Sequence, residues 1–220
     1  MKTFLIINGS PRKDGVSSEL AKQVKPYYLV RSRGLGDVYK RQRKDGVSSE
    51  LAKQVKPYFL DCEIKEYNVY DLAPAPCIDC KYCEYHDGCS NKDLDIFFED
   101  FEEADFIAFF TPVYNNFFPA PLKAVIDRFQ RYYSARFKRG ANPPIKKHKK
   151  VGVVIVSGSN ARSSADYMTK TIKQAFEVLN GDVCARYFIP NTDLGMYTFN
   201  VVELQKFIHQ LKGLSKNPLL

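Results

Sequence analysis

The chain has 220 residues, enough for one domain with a sizeable core, and an ordinary apolar fraction of 45%. No apolar run reaches membrane-spanning length, and no charged stretch followed by a cleavable apolar one opens the chain, so no membrane partner and a cytoplasmic location are expected. The net charge of +8 would suit a polyanion, but residues 12–42 carry eight Lys or Arg against three Asp or Glu. Without that segment the net falls to +3, and nucleic acid is not expected as a partner.

The first element is a strand, Lys2-Thr3-Phe4-Leu5-Ile6-Ile7. It runs into a polar turn, Asn8 to Ser18, and then into a helix-like stretch. A strand, a tight turn and a helix N-terminus together make an anion site, because free N–H groups and the positive end of the helix dipole converge there. Ser10, Ser17 and Ser18 add hydroxyls and Arg12 adds a cation that can fork onto a phosphate. The turn has neither the nucleotide-triphosphate nor the dinucleotide glycine spacing. It is hydroxyl-rich and suits one terminal phosphate. An ordinary Ser-capped strand–turn–helix is the alternative.

Residues Arg12 to Tyr27 then recur letter for letter at Arg43 to Tyr58. Two identical copies without a third do not make a solenoid, whose units drift and stack in threes or more. The spacer between them has no periodicity and resembles translated adapter sequence. Residues 28–58 therefore read as an inserted duplication within a single domain spanning 1–220, an assembly artefact or else a genuine recent duplication. Only one helix slot exists beside the first strand, and an excursion between Pro11 and Arg43 would break a phosphate nest. The expectation is that the first copy forms the phosphate loop and first helix, with the second an ill-packed excursion.

Beyond the repeat, strands alternate with amphipathic helices. Strands are expected over Ile64–Tyr70, Ala104–Phe110, Val151–Val156 and Val183–Ile189. Helices are expected over Ile96–Phe101, Pro121–Tyr133, Ser164–Leu179 and Val201–Leu211. Five strands with alternating helices predict an α/β doubly wound parallel sheet of flavodoxin-like order 2-1-3-4-5, with its ligand at the carboxyl ends near the switch point. Two more loops reach that edge, Thr111 to Pro121 and Ser157 to Arg162. In the first, Tyr114, Phe117 and Phe118 could lay a wall against a planar heterocycle, or bury themselves in a partner subunit.

Between these loops lies Cys77-x2-Cys80-x2-Cys83-x5-Cys89. Four thiolates this close can wrap a [4Fe–4S] cluster. A tetrahedral zinc site, with His86 as a substitute ligand, and unligated thiols are the other readings. Cys62 and Cys184 fall in strand patterns and read as core residues.

The segments INGSPRKDGVSS and TPVYNNFFPAPLKAVIDR, with the cysteine run between them, resemble the NAD(P)H-dependent FMN reductase family, close to its iron–sulfur flavoprotein branch. The resemblance implies a flavodoxin-like fold, FMN with its phosphate on the first loop, NAD(P)H as co-substrate, and a homodimer or homotetramer. Carried over by position, Ser10, Arg12, Ser17 and Ser18 would hold the phosphate. Pro112, Val113, Tyr114 and Asn115 would contact the isoalloxazine, and Gly158 would line its other side. Val16 stands where members often carry Asn. Lys123, Asp127 and Arg128 read as helix and interface residues, and no side chain is nominated as a catalyst. The implied activity is electron transfer from NAD(P)H through FMN to a quinone, a flavin or an iron–sulfur acceptor. A non-enzymatic electron carrier acting with a protein partner is the alternative.

Overall fold

The computed structural model describes residues 1–11, 47–194 and 200–213. β1 (Lys2–Asn8) is the pivot of the sheet. Phe4, Leu5, Ile6 and Ile7 are all fully buried, as a parallel strand covered on both faces requires. Phe4 and Ile6 face one core and Leu5 and Ile7 the other, the period-2 alternation of a strand.

β2 (Cys62–Asn68), β3 (Phe106–Pro112), β4 (Lys149–Val156) and β5 (Gly181–Ile189) complete one sheet of order β2-β1-β3-β4-β5, every neighbouring pair parallel. This is the doubly wound sheet expected from the sequence. On one face lie α1 (Val47–Val55), whose Leu51, Ala52 and Val55 share a core with Phe4 and Ile6, and α8 (Val201–Lys212), whose Leu204 and Phe207 extend that core over β4 and β5. On the other lie α4 (Asp95–Glu103), α5 (Ala120–Asp127), α6 (Gln130–Phe137) and α7 (Arg162–Leu179), around a cluster rich in phenylalanine. Two single-turn helices, α2 (Val69–Leu72) and α3 (Tyr82–Tyr85), interrupt the long β2–α4 connection.

The first helix differs from expectation. The slot beside β1 is filled by the second copy of the repeat, Val47–Val55, continued by a 3-10 turn over Lys56–Phe59. Arg12 to Tyr27, expected there, lie outside the described residues. Position by position the two copies are identical, so the helix face cannot decide between them; the junction with β2 can. Phe59, which follows the second copy, is fully buried and stacks on Phe4 with ring centroids 4.0 Å apart. The equivalent position after the first copy is Tyr28, whose hydroxyl would lack water in that place. The segment expected to be ill-packed thus carries Leu51 and Val55 at zero exposure.

The expected helix over Pro121–Tyr133 is two. It breaks at Arg128 and Phe129, where the Arg128 N–H is shared between the carbonyls of Ala124 and Val125 at 3.1 Å each. Arg128 there turns inward and is only 2% exposed. Cys62 is buried as expected, whereas Cys184 is exposed on the edge strand β5, its thiol 3.6 Å from the Val151 carbonyl.

Candidate functional site

The carboxyl ends of β1, β3 and β4 bring three loops together. After β1, Gly9 runs close beneath α5: a Cβ there would stand 2.8 Å from Leu122. Its N–H donates to the Phe110 carbonyl at 2.8 Å, which ties the turn to β3. Asn8 then organises the turn. Its Oδ1 accepts from the Ser10 N–H at 3.0 Å, and its Nδ2 donates to Ser49 Oγ at 2.9 Å. Asn68, at the end of β2, donates to the Ser10 carbonyl at 3.1 Å. Ser10, Ser48 and Ser49 are all buried. The hydroxyls therefore sit where the α1 N-terminus meets the end of β1, a place where backbone N–H groups and the helix dipole favour an anion. Beside them a cleft of about 250 Å³ opens between α1 and the end of β2, lined by Ser49, Lys53, Asn68 and Asp71.

Of the residues expected to hold a phosphate, Ser10 is in place, while Arg12, Ser17 and Ser18 lie outside the described residues. Their counterparts in the second copy, Ser48 and Ser49, occupy the site. Continuity with β1 in sequence favours the first copy for the phosphate roles; the burial of Phe59 against Phe4 at the junction with β2 outweighs it.

After β3 the chain makes a tight turn. Tyr114 and Phe117 exchange both backbone hydrogen bonds at 2.9 Å, with Asn115 and Asn116 at positive φ (47° and 65°) between them. Asparagine tolerates this conformation better than most residues. The Val113 N–H is tied to Val156 on β4, so the turn is a rigid shelf on the sheet edge. Tyr114 is 40% exposed and stands near Tyr70, whose phenol is pushed up by burial and by the Tyr114 charge. Phe117 rests against Tyr167 of α7, centroids 5.8 Å apart. Phe118, expected in the same wall, is instead buried in the core. Val113 packs partly against that core and Pro112 ends β3. The Ser164 hydroxyl donates to Asn116 Oδ1 at 3.0 Å and holds the tip of the turn.

After β4, Ser157 to Ser159 are laced to the turn after β5. Asn191, Thr192 and Asp193 donate their N–H groups to the carbonyls of Ser159, Ser157 and Gly158. The Asp193 carboxylate covers Gly158 so closely that a Cβ there would meet it at 2.1 Å.

The cysteine loop is a separate structure. Positive φ at Asp79, Lys81 and Gly88 curls it around a cavity of about 120 Å³ lined by Cys77, Cys80, Cys83 and Cys89. The thiols share this cavity without converging. Cys80 Sγ is 3.1 Å from Ser90 Oγ, and Cys83 Sγ is 3.4 Å from Ser134 Oγ. Among the described residues no three Cys, His, Asp or Glu form a group close enough to grip a metal. His86 stacks on Tyr82 and is not among the residues lining the cavity. The Ser90 hydroxyl, with the Tyr82 backbone, holds the Cys80 thiol below the usual range.

The loop is held by arginines. Arg128 Nη1 donates to the Ala75 carbonyl at 3.1 Å and pairs with Asp93 at 2.9 Å, and Nη2 donates to the Asn91 carbonyl at 2.7 Å. Arg139 donates to the carbonyls of Cys83 and His86. Sequence reading gave Arg128 only a helix and interface role. The signal that could have found it is an arginine set between Ile126 and Phe129, the last two members of the helix's apolar stripe.

A family model described as NADPH-dependent FMN reductase matches residues 41–188. The match runs through the second copy of the repeat and not the first. A curated relative, the iron-sulfur flavoprotein of Archaeoglobus fulgidus, is 34% identical over 123 residues, 54% of this chain and 57% of the relative. The matched region thus spans little more than half of that relative. Two solved structures share the fold. An NAD(P)H:quinone oxidoreductase from Methanothermobacter marburgensis is 14% identical at a TM-score of 0.59, covering 100% of this chain and 98% of its own. An azoreductase from Bacillus anthracis is 16% identical at a TM-score of 0.57, covering 97% and 96%.

Proposed function

Because the chain belongs to the NADPH-dependent FMN reductase family, we propose that it is an oxidoreductase that binds FMN at this sheet edge and moves electrons from NAD(P)H to a quinone, a flavin or an iron–sulfur acceptor. The observation that carries the proposal is the Asn8–Ser49 hydrogen bond. It joins the end of β1 to the α1 N-terminus and gathers Ser10, Ser48 and Ser49 at one point. That donor set fits a phosphate monoester, and the exposed Tyr114 shelf beside it fits a planar ring. By the identity of the two copies, the phosphate roles of Arg12, Ser17 and Ser18 pass to Arg43, Ser48 and Ser49. Bound FMN would supply a ring that accepts hydride and releases electrons one or two at a time. The chain's own part is positional. The serines would hold the phosphate, the 112–117 turn would fix the ring plane, and the N–H groups of Asn115 and Asn116 at its tip would donate to the ring edge.

For the cysteine loop we propose a [4Fe–4S] cluster held by Cys77, Cys80, Cys83 and Cys89, with zinc as the competing occupant. The four-thiol donor set in thirteen residues and the shared cavity support this. The thiols must turn inward from Ser90 and Ser134 to bind. The exposure of Cys80 at the cavity rim favours a second reading, an electron carrier that docks a protein partner there. We also propose a cytoplasmic location, where reducing conditions suit six free thiols. A homodimer joined through the exposed Tyr114 and Tyr167 is part of the same proposal.

Anaerobic purification tests these readings together. The expected protein is yellow-brown, releases FMN, contains iron and sulfide, and oxidises NAD(P)H. A colourless protein, or one that releases FAD, overturns the flavin assignment. Bound FMN without NAD(P)H oxidation leaves only the carrier. Light scattering at the mass of one chain overturns the dimer.

A further inference from the structure

We infer that Arg128 is the positioning residue of the cysteine cavity, and that its Nε–H donates to the sulfur shell of a negatively charged metal–tetrathiolate centre formed there. The inference rests on the metal reading of the four cysteines and adds a residue to it.

Arg128 lies at the end of α5 with 2% exposure. Its Nη atoms bond Ala75 and Asn91, each two residues outside the cysteine run, so one planar fork ties both ends of the loop that begins at Cys77 and ends at Cys89. Asp93 balances its charge from the same side. The fork leaves one donor over. Nε is buried and has no hydrogen-bond partner among the described residues, and Arg128 is one of the residues lining the cavity. A buried guanidinium N–H without an acceptor is a lasting penalty, seldom kept without a reason.

The cavity supplies the reason. Four neutral thiols offer weak acceptors. Four thiolates around ferrous and ferric iron with bridging sulfide, or around zinc, carry net negative charge and accept N–H hydrogen bonds at sulfur. Arg131 lines the same cavity with a second guanidinium, while Asp79 and Glu84 at the rim are paired with Lys81. Hydrogen bonds to ligand sulfur hold a thiolate shell together and raise the potential of an iron–sulfur centre. Lysine could keep the charge, but it could not tie two carbonyls and still present a third donor in one plane.

The experiment has two stages. Iron, acid-labile sulfide and zinc are first assayed in unaltered protein purified anaerobically. If neither metal is present and all four thiols alkylate freely, the metal reading fails and the inference falls with it. If a metal is present, Arg128→Lys should weaken its retention against a chelator about 10–100-fold. For an iron centre it should also lower the reduction potential, with FMN content unchanged. A folded Arg128→Lys protein with unaltered retention and potential overturns the role of Arg128 and leaves the metal reading standing. Should that variant fail to fold, the arginine Nε–H resonances of unaltered, zinc-loaded protein are compared before and after chelation. One Nε–H protected from exchange and shifted only in the loaded state is expected; identical spectra overturn the inference.

Discussion

The turn after β1 and the cysteine loop are both irregular chain beside the same sheet, yet they are fixed by different means. The turn is bounded by strand and helix. Gly9 is bonded to β3, Ser10 to β2 through Asn68, and Asn8 to the first turn of α1. The cysteine loop has almost no ladder of its own and is hung on two arginine side chains. A loop held by backbone inherits its geometry from the fold. A loop held by side chains can open without unfolding the sheet, as the proposed metal site would require. The first region depends on the packing of one particular copy of the repeat, and the far end of the sheet offers a contrast.

The largest effect is expected in α1. Leu51→Ala removes a fully buried side chain from the core between α1 and the sheet and should lower stability by about 2–5 kcal/mol in denaturant unfolding. Leu20→Ala makes the same change in the other copy and should leave stability within about 0.5 kcal/mol. Equal losses would mean that the two copies share the slot, and the comparison between a fixed turn and an openable loop would collapse.

This pair also marks what the sequence could reveal. The five strands, their parallel order and the helices were legible because apolar runs of the right length alternate with 3.6-period stripes. The cysteine spacing was legible as chemistry. The copy that folds was not, since Leu20 and Leu51 stand in identical local sequence and only Phe59, against Phe4 and Phe106, separates them. Phe118 and Arg128 were missed for a related reason. Burial at a loop or helix end is decided by distant partners: Phe118 packs into the core, and Arg128 bonds Ala75 and Asn91, far away along the chain.

At the opposite, amino end of the sheet, Lys149 offers a control. Its Nζ donates to the carbonyls of Glu102 and Ala104 at the end of α4, and its side chain is fully buried. Burial, and then Lys147, push its pKa down to about 8. A lysine lowered on folding binds its proton more weakly in the folded state. Stability should therefore rise as pH climbs from 8 toward the unfolded value near 10.5, by about 1 kcal/mol per unit. Lys149→Met should lose that slope while leaving FMN binding intact. A slope that persists in Lys149→Met assigns it to other groups.

Shortening the chain should have a smaller effect, of the opposite sign. Removing residues 12–42 or residues 28–58 yields one and the same polypeptide, because the copies are identical. The connection between β1 and α1 then shrinks roughly fivefold, which favours the folded state by about 1.5 kcal/mol in loop entropy. The shortened protein should melt higher and bind FMN at least as tightly. Weaker FMN binding would give the extra segment a role in the site.

The smallest expected effect is the most local. Ser49→Ala removes the hydroxyl that accepts from Asn8 Nδ2. The backbone N–H groups of α1 remain, so the helix still points its positive end at the turn. The loss should be about 0.5–1.5 kcal/mol in stability for one buried hydrogen bond. FMN affinity should fall further, by roughly 3–10-fold, because a neutral hydroxyl on a phosphate is lost as well. Ser18→Ala is the matched change in the other copy and should alter neither quantity. Isothermal titration with FMN on both variants separates the cases. A loss confined to Ser18→Ala would return the phosphate to the first copy; a loss confined to Ser49→Ala fixes it on the helix that Phe59 locks against Phe4.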